Sequence, residues 1–313
     1  MPTKTFESDP EFTLGADSSE MAGEAGRRLS TQQRTSSRIV AAFVVLALVV
    51  GAVAFYFFGP SGVTPVPTPP ASTPAVGVQV EPAIKYPVDK IPASATTNAG
   101  SAQFPLPALD DSDIVAKDAI ETILGDGAFV RRLVPESIIR HVVATVDSLP
   151  RKTIAARILP IKPVPGTLAT TSTTQGMSIA ADNASRYAAY IKAAEAIDTG
   201  SLAGFYVRLY PLFQQAYVEL GYPNGYFNDR LIGVIDHLLA APEPKAPVYV
   251  SQPHILFEFA DPELEELSAG QKVLVRIGID NERRLKAKLR DIRKALTAEA
   301  ANPSQSVSAP AAR

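Results

Sequence analysis

The longest apolar stretch of the chain runs from Ile39 to Phe58 without a charged residue. A helix needs about 20 such residues to cross a hydrocarbon core of about 30 Å. Within lipid, a helix is how one segment satisfies its own backbone polar groups. The pattern therefore predicts a membrane-spanning helix over residues 38–59. Phe55, Tyr56, Phe57 and Phe58 gather at its far end, where aromatic rings favour the headgroup boundary. Lys4, Arg27, Arg28, Arg34 and Arg38 precede the run, and the next basic residue is Lys85. That asymmetry predicts a cytoplasmic N-terminus and an exported C-terminal bulk. The run is longer than a signal-peptide core and starts late. Its one Ala-x-Ala, at Ala52 and Ala54, lies inside the apolar stretch. An uncleaved single-pass anchor is the expectation.

Around the anchor the pattern loses its period. Residues 1–37 are small and polar and read as a disordered cytoplasmic tail. Residues 60–105 carry Pro65, Pro67, Pro69, Pro70 and Pro74 among Ala, Thr, Ser and Val. They read as an extended linker reaching on the order of 40 Å as a coil. Residues 299–313 read as a second disordered tail. Residues 106–298 remain as the folded domain, long enough for one core.

Within that domain, helical periodicity dominates. Ile114, Val115, Ala119, Ile120, Ile123 and Leu124 form one stripe, capped by Asp110 or Ser112 and stopped by Gly125. Ile138, Ile139, Val142, Val143 and Val146 form a second, opened by Pro135 and ended by Pro150. Further helices are predicted over 182–197, 201–220 and 228–239. Pro211 is expected to kink or break the middle one. Its apolar positions Phe205, Leu209, Leu212, Phe213, Ala216 and Leu220 are expected in the core. Short helices follow at 262–267 and 271–277. A final helix, capped by Asp280, carries Leu285, Leu289, Ile292 and Leu296 as a seam. Two segments, 166–173 and 176–179, pair as a small β-hairpin, 248–250 reads as a short strand, and 254–259 fits either strand or helix. The fold class is mainly α: a single transmembrane helix, a proline-rich linker and a helical globular domain with a small β-hairpin.

Composition removes several chemistries. The chain has no cysteine, which excludes disulfides, thiol catalysis and Cys-ligated zinc. The net charge of −2 gives no bulk attraction to nucleic acid, and no nucleic-acid partner is expected.

The segments Arg140–Arg151, Lys162–Gly166, Tyr210–Pro242 and Gln252–Gly278 resemble the bacterial family of unknown function numbered 3014. The anchor and proline-rich linker resemble that family's layout. The resemblance implies a bacterial envelope protein, and with the topology read from the apolar run the expectation is an inner-membrane protein with a periplasmic domain. It implies no activity, and no catalytic residue carries over.

Candidate sites follow from residue type. His141, His237 and His254 lack the i, i+4 spacing of a helical metal site, so no metal or cofactor is expected. Asp229 and Asp236 lie on one face of a predicted helix, with Glu258 as a third carboxylate. Their spacing is wide for a glycosidase pair. The loop Gly221–Arg230 sets Tyr222 and Tyr226 beside Asn224, Asn228 and Asp229. Aromatic faces next to amides and carboxylates suit a glycan or peptide. The same residues also suit a tight interhelical turn whose rings plug the core and whose Asn228 caps the next helix. The basic residues between Arg283 and Lys294 suit an acidic partner, or a solvated face on a packed helix.

No hydrolase motif is present, which predicts a non-enzymatic interaction module contacting an envelope protein or the cell wall. The alternatives are a carboxylate-dependent envelope hydrolase and a peptidoglycan-binding module using exposed Tyr222 and Tyr226.

Overall fold

A computed structural model describes residues 83–91, 105–124, 132–164 and 166–297. The predicted membrane helix, most of the linker and both tails lie outside the described residues. Among the described residues no helix is long and apolar enough to cross a membrane.

Eight α-helices are described: α1 Asp113–Leu124, α2 Ile138–Ser148, α3 Ala188–Ala196, α4 Thr199–Glu219, α5 Phe227–Leu239, α6 Pro262–Glu265, α7 Ala269–Arg276 and α8 Ile279–Leu296. Four strands accompany them: β1 Thr170–Thr173, β2 Gly176–Ile179, β3 Val250–Ser251 and β4 Glu258–Phe259. Helix α2 packs on α4 and α5, and α8 packs on α3, α4, α5 and α7. The core is what the stripes predict. Ile138, Ile139, Val142, Val143 and Val146 are buried on α2, and Leu285, Leu289, Ile292 and Leu296 on α8.

The predicted hairpin forms, with Thr170 opposite Ile179 and Thr173 opposite Gly176. Strands β3 and β4 pair antiparallel, so the ambiguous 254–259 segment ends in a strand. The two ribbons join through a bridge between Ser178 and Tyr249. A satellite core of Val250, Phe259, Leu264 and Val275 lies beneath them.

Several expectations fail at element ends and on exposed faces. Ala119 and Ile120 of the α1 stripe are buried, but Ile114 is 81 % exposed and Ala116 takes the inward position. Leu220 is 42 % exposed, lying past the end of α4 at its C-cap. Pro211 does not break α4, which continues through it. One backbone donor is missing there, while Leu209, Leu212 and Phe213 are buried on either side. Residues 181–187 form a 3-10 turn ahead of α3 rather than α-helix. Helix α8 starts after Gly278, at φ 90°, and Asp280 lies in its first turn rather than at its cap. Helix α2 starts three residues after Pro135, behind Ser137 in the left-handed region at φ 52°.

That last start has a donor-counting explanation. The first backbone N–H groups of a helix have no partner within it. Asp113, the first residue of α1, accepts from Ser137 N at 2.7 Å and from Ile138 N at 2.8 Å. The cap of α2 is thus supplied by a neighbouring helix. Asp113→Ala should lower stability by roughly 1–2 kcal/mol, and Asp113→Asn by less. Denaturant unfolding, compared with Asp110→Ala as a surface control, checks the difference.

Candidate functional site

The nominated loop is built by the end of α4. Gly221 takes φ 114°, and Tyr222 N and Gly225 N close turns onto Tyr217 O and Tyr222 O. Gln214 holds the loop from behind. Its Nε2 donates to Gly225 O at 2.7 Å, and its Oε1 accepts from Phe227 N at 2.8 Å and Tyr210 Oη at 2.9 Å. A Cβ on Gly225 would lie 2.9 Å from Tyr217 Cε1, so the close approach requires glycine. Tyr226, not Asn228, occupies the N-cap of α5.

Tyr222 is half-buried and stacks on Tyr217, with ring centroids 4.6 Å apart. Its hydroxyl donates to Asp147 Oδ2 at 3.2 Å. Tyr226 is half-buried and Asn224 exposed, so the exposed pair of tyrosine rings expected for a glycan platform is not what the loop presents. Asn228 is buried and donates from Nδ2 to Tyr86 O at 2.7 Å. Asp229 accepts from Lys85 N at 2.9 Å and Tyr86 N at 2.7 Å.

Asn228 and Asp229 therefore grip the backbone of a segment more than 140 residues upstream. Residues 83–91 lie within the stretch read as linker, yet Tyr86 and Val88 pack against the main core and Ile91 is buried. The carboxylate and amide do what a β-ladder would do: they satisfy the backbone donors and acceptor of a passing segment.

Beside this grip sits Asp147, near the end of α2, whose side chain is only 2 % exposed. Arg230 Nε donates to Oδ1 at 2.9 Å, and Arg230 Nη2 donates to the backbone oxygen of Asp147 at 2.7 Å. Arg151 and the Tyr222 hydroxyl donate to Oδ2. One carboxylate thus ties α2, the loop and the start of α5. Sequence reasoning missed Asp147, Arg230 and Gln214. The i, i+4 pairs Asp147–Arg151 and Tyr210–Gln214 were the available signal.

The other nominations do not converge. Asp236 pairs with Arg293 at 2.6 Å. Glu258 sits in β4. Asp229, seven residues from Asp236, is committed to Lys85 and Tyr86. The basic run on α8 is largely spent within the domain. Arg283 pairs with Glu243, Arg284 with Glu195 and Arg293 with Asp236. Lys286 is buried against Glu282 and Glu243, and Lys288 donates to Ile197 O and Thr199.

The three histidines occupy separate elements. His237 lies 2.8 Å from the Oγ of Ser268, which forms the capping box of α7. His254 is exposed between β3 and β4. No cluster of three His, Asp or Glu side chains suited to a metal is found among the described residues. Two concave regions lie away from the loop. One, of about 410 Å³, is lined by Met177, Lys245, Tyr249, Val250, Asp261 and Leu264 among others. A smaller one is described below.

The fold and loop define a compact helical domain with a strap of upstream chain bound to its side. The family described as "Protein of unknown function (DUF3014)" matches residues 138–293, and the chain belongs to that family. No curated protein and no solved structure matches it.

Truncating Asp147 should cost more than truncating its partners. Asp147→Ala leaves Arg230 Nε and the Tyr222 hydroxyl without their carboxylate acceptor and should destabilise by roughly 2–4 kcal/mol. Arg151 is 57 % exposed, so Arg151→Ala should cost less than about 1 kcal/mol. Denaturant midpoints rank the two.

The histidines set a pH dependence. Burial lowers the pKa of His141, opposed by the charges of Asp113 and Glu136. Burial, then the charge of Arg230, lowers that of His237. Both groups prefer to be neutral when folded. The unfolded chain therefore takes up protons first, near about pH 6.5. Their contribution is complete above that pH and is lost as pH falls through the folded values. Unfolding free energy should drop between about pH 7.5 and pH 5.5, and a His141→Gln/His237→Gln variant should flatten that slope.

Proposed function

We propose that this chain is a non-enzymatic interaction module tethered to the bacterial inner membrane. The domain lies in the periplasm and engages an envelope protein or the cell wall. The apolar run Ile39–Phe58 and the basic residues before it support the address.

The observation that carries the reading is the grip of Asn228 and Asp229 on Lys85 and Tyr86. The most functional-looking loop fastens the chain that arrives from the anchor, and the carboxylates a hydrolase would need are spread over separate contacts. A tether fixed to the domain's side sets where the opposite surfaces face. It also confines them near the membrane, which raises the local concentration of any partner there.

Reporter fusions after Arg313 and site-specific photo-crosslinking from the exported face test this in a bacterial host. A reporter active only outside the cytosol should work. One specific envelope crosslink should form and disappear when residues 39–58 are deleted. Activity of a cytosol-only reporter, or a crosslink unaffected by the deletion, contradicts the proposal.

A further inference from the structure

Glu282 is 0 % exposed, in the first turn of α8. Its Oε1 lies 2.9 Å from Lys286 Nζ in an ion pair. The same ammonium donates to Ala241 O at 2.6 Å and Glu243 Oε1 at 3.0 Å. Glu282 Oε2 has no hydrogen-bond partner among the described residues. A buried carboxylate short of donors is costly unless a further group completes it. Burial pushes the Glu282 carboxyl above its ordinary value, against the pull of Lys286, as expected of a group short of donors.

Glu282 lines a pocket of about 200 Å³ between β2, the 3-10 turn at 181–187, the Pro244–Val248 segment and the start of α8. The other charged residues on its wall are Arg276, at the end of α7, and the exposed Asp280. Arg276 is 2 % exposed and sits over the Phe259 ring at 4.7 Å. The rest of the wall is mostly apolar, including Ile179, Val248 and Ile279. A concave apolar surface with a few convergent polar groups is the usual form of a small-molecule site.

We infer that this pocket binds a small zwitterion, an aliphatic molecule carrying one ammonium and one carboxylate. The ammonium supplies the donor that Glu282 Oε2 lacks, with the exposed Asp280 adding attraction. The carboxylate is drawn toward the buried charge of Arg276, whose Nη2 also donates to Phe257 O at 3.0 Å. Free amino acids and short peptides share this chemistry. The site is independent of the tether and holds whether or not the domain is exported.

Calorimetric titration of the full chain in detergent micelles tests it. The probes are glycine, β-alanine, 4-aminobutyrate, 6-aminohexanoate and dialanine, each set against the amine-only and acid-only compounds of matched length. At least one zwitterion should bind saturably and at least tenfold more tightly than both of its singly charged analogues. The best chain length reports the spacing of the two charges, and preference for dialanine over the free amino acids identifies a peptide source. Glu282→Gln keeps the shape and should reduce the zwitterion's affinity at least tenfold while leaving binding of the acid-only analogue within twofold. If that variant does not fold, the comparison of probes on the unaltered chain decides the matter. No saturable zwitterion binding, equal binding of charged analogues, or unchanged affinity in a folded Glu282→Gln variant overturns the inference.

Discussion

Carboxylates leave water only where other donors replace their hydration, and this domain is assembled around places where that exchange happens. Asp147 is the clearest. Its side chain is almost wholly enclosed, and its donors come from Arg230, Arg151 and Tyr222. These residues belong to the start of α5, the turn after α2 and the loop after α4. The three segments can meet only in one arrangement if that carboxylate is to be satisfied. Asp113 does the same for the junction of α1 with α2, and Asp229 for the strap at Lys85 and Tyr86. Hydrophobic stripes bring the helices together, and these acceptors fix how they meet.

The same constraint explains what could be read from the sequence. Periodicity reports burial on a regular element, so the stripes of α2 and α8 and the hairpin of β1 and β2 were legible. Caps borrowed from another element leave no local trace. Ser137 and Asp113 are 24 residues apart, and nothing near Pro135 signals that α2 waits for a distant acceptor. The loop was legible as unusual and not legible as to purpose. Tyr, Asn and Asp in a tight turn suit ligand contact and structural fastening alike. The choice depends on where residues 83–91 run, which no local pattern encodes. Gln214 was hard to read for a similar reason: beyond its i, i+4 pair with Tyr210, its amide serves Gly225 and Phe227 in the loop that follows the helix.

Surface charge carries a related lesson. The basic run on α8 suggests attraction to an acidic surface when read as a string. In the fold, Arg283, Arg284 and Arg293 each have a carboxylate from another segment, and Lys286 is buried. Glu282 is the buried acid that differs: it pairs with Lys286, its Oε2 has no partner among the described residues, and it lines a cavity. A recognition surface is therefore better sought around the pocket and the two β-ribbons than on the aromatic loop or the basic helix.

The central claim is that Asn228 and Asp229 act as a fastening for the chain that leads to the domain. Amide hydrogen exchange at Lys85 and Tyr86 reads this directly, because their N–H groups donate to Asp229 alone among the described residues. Both amides should be protected in the unaltered chain and exchange at the rate of unstructured peptide in Asp229→Ala, with α2 and α8 unchanged. Fast exchange at both positions before substitution, or protection that survives it, would contradict the account.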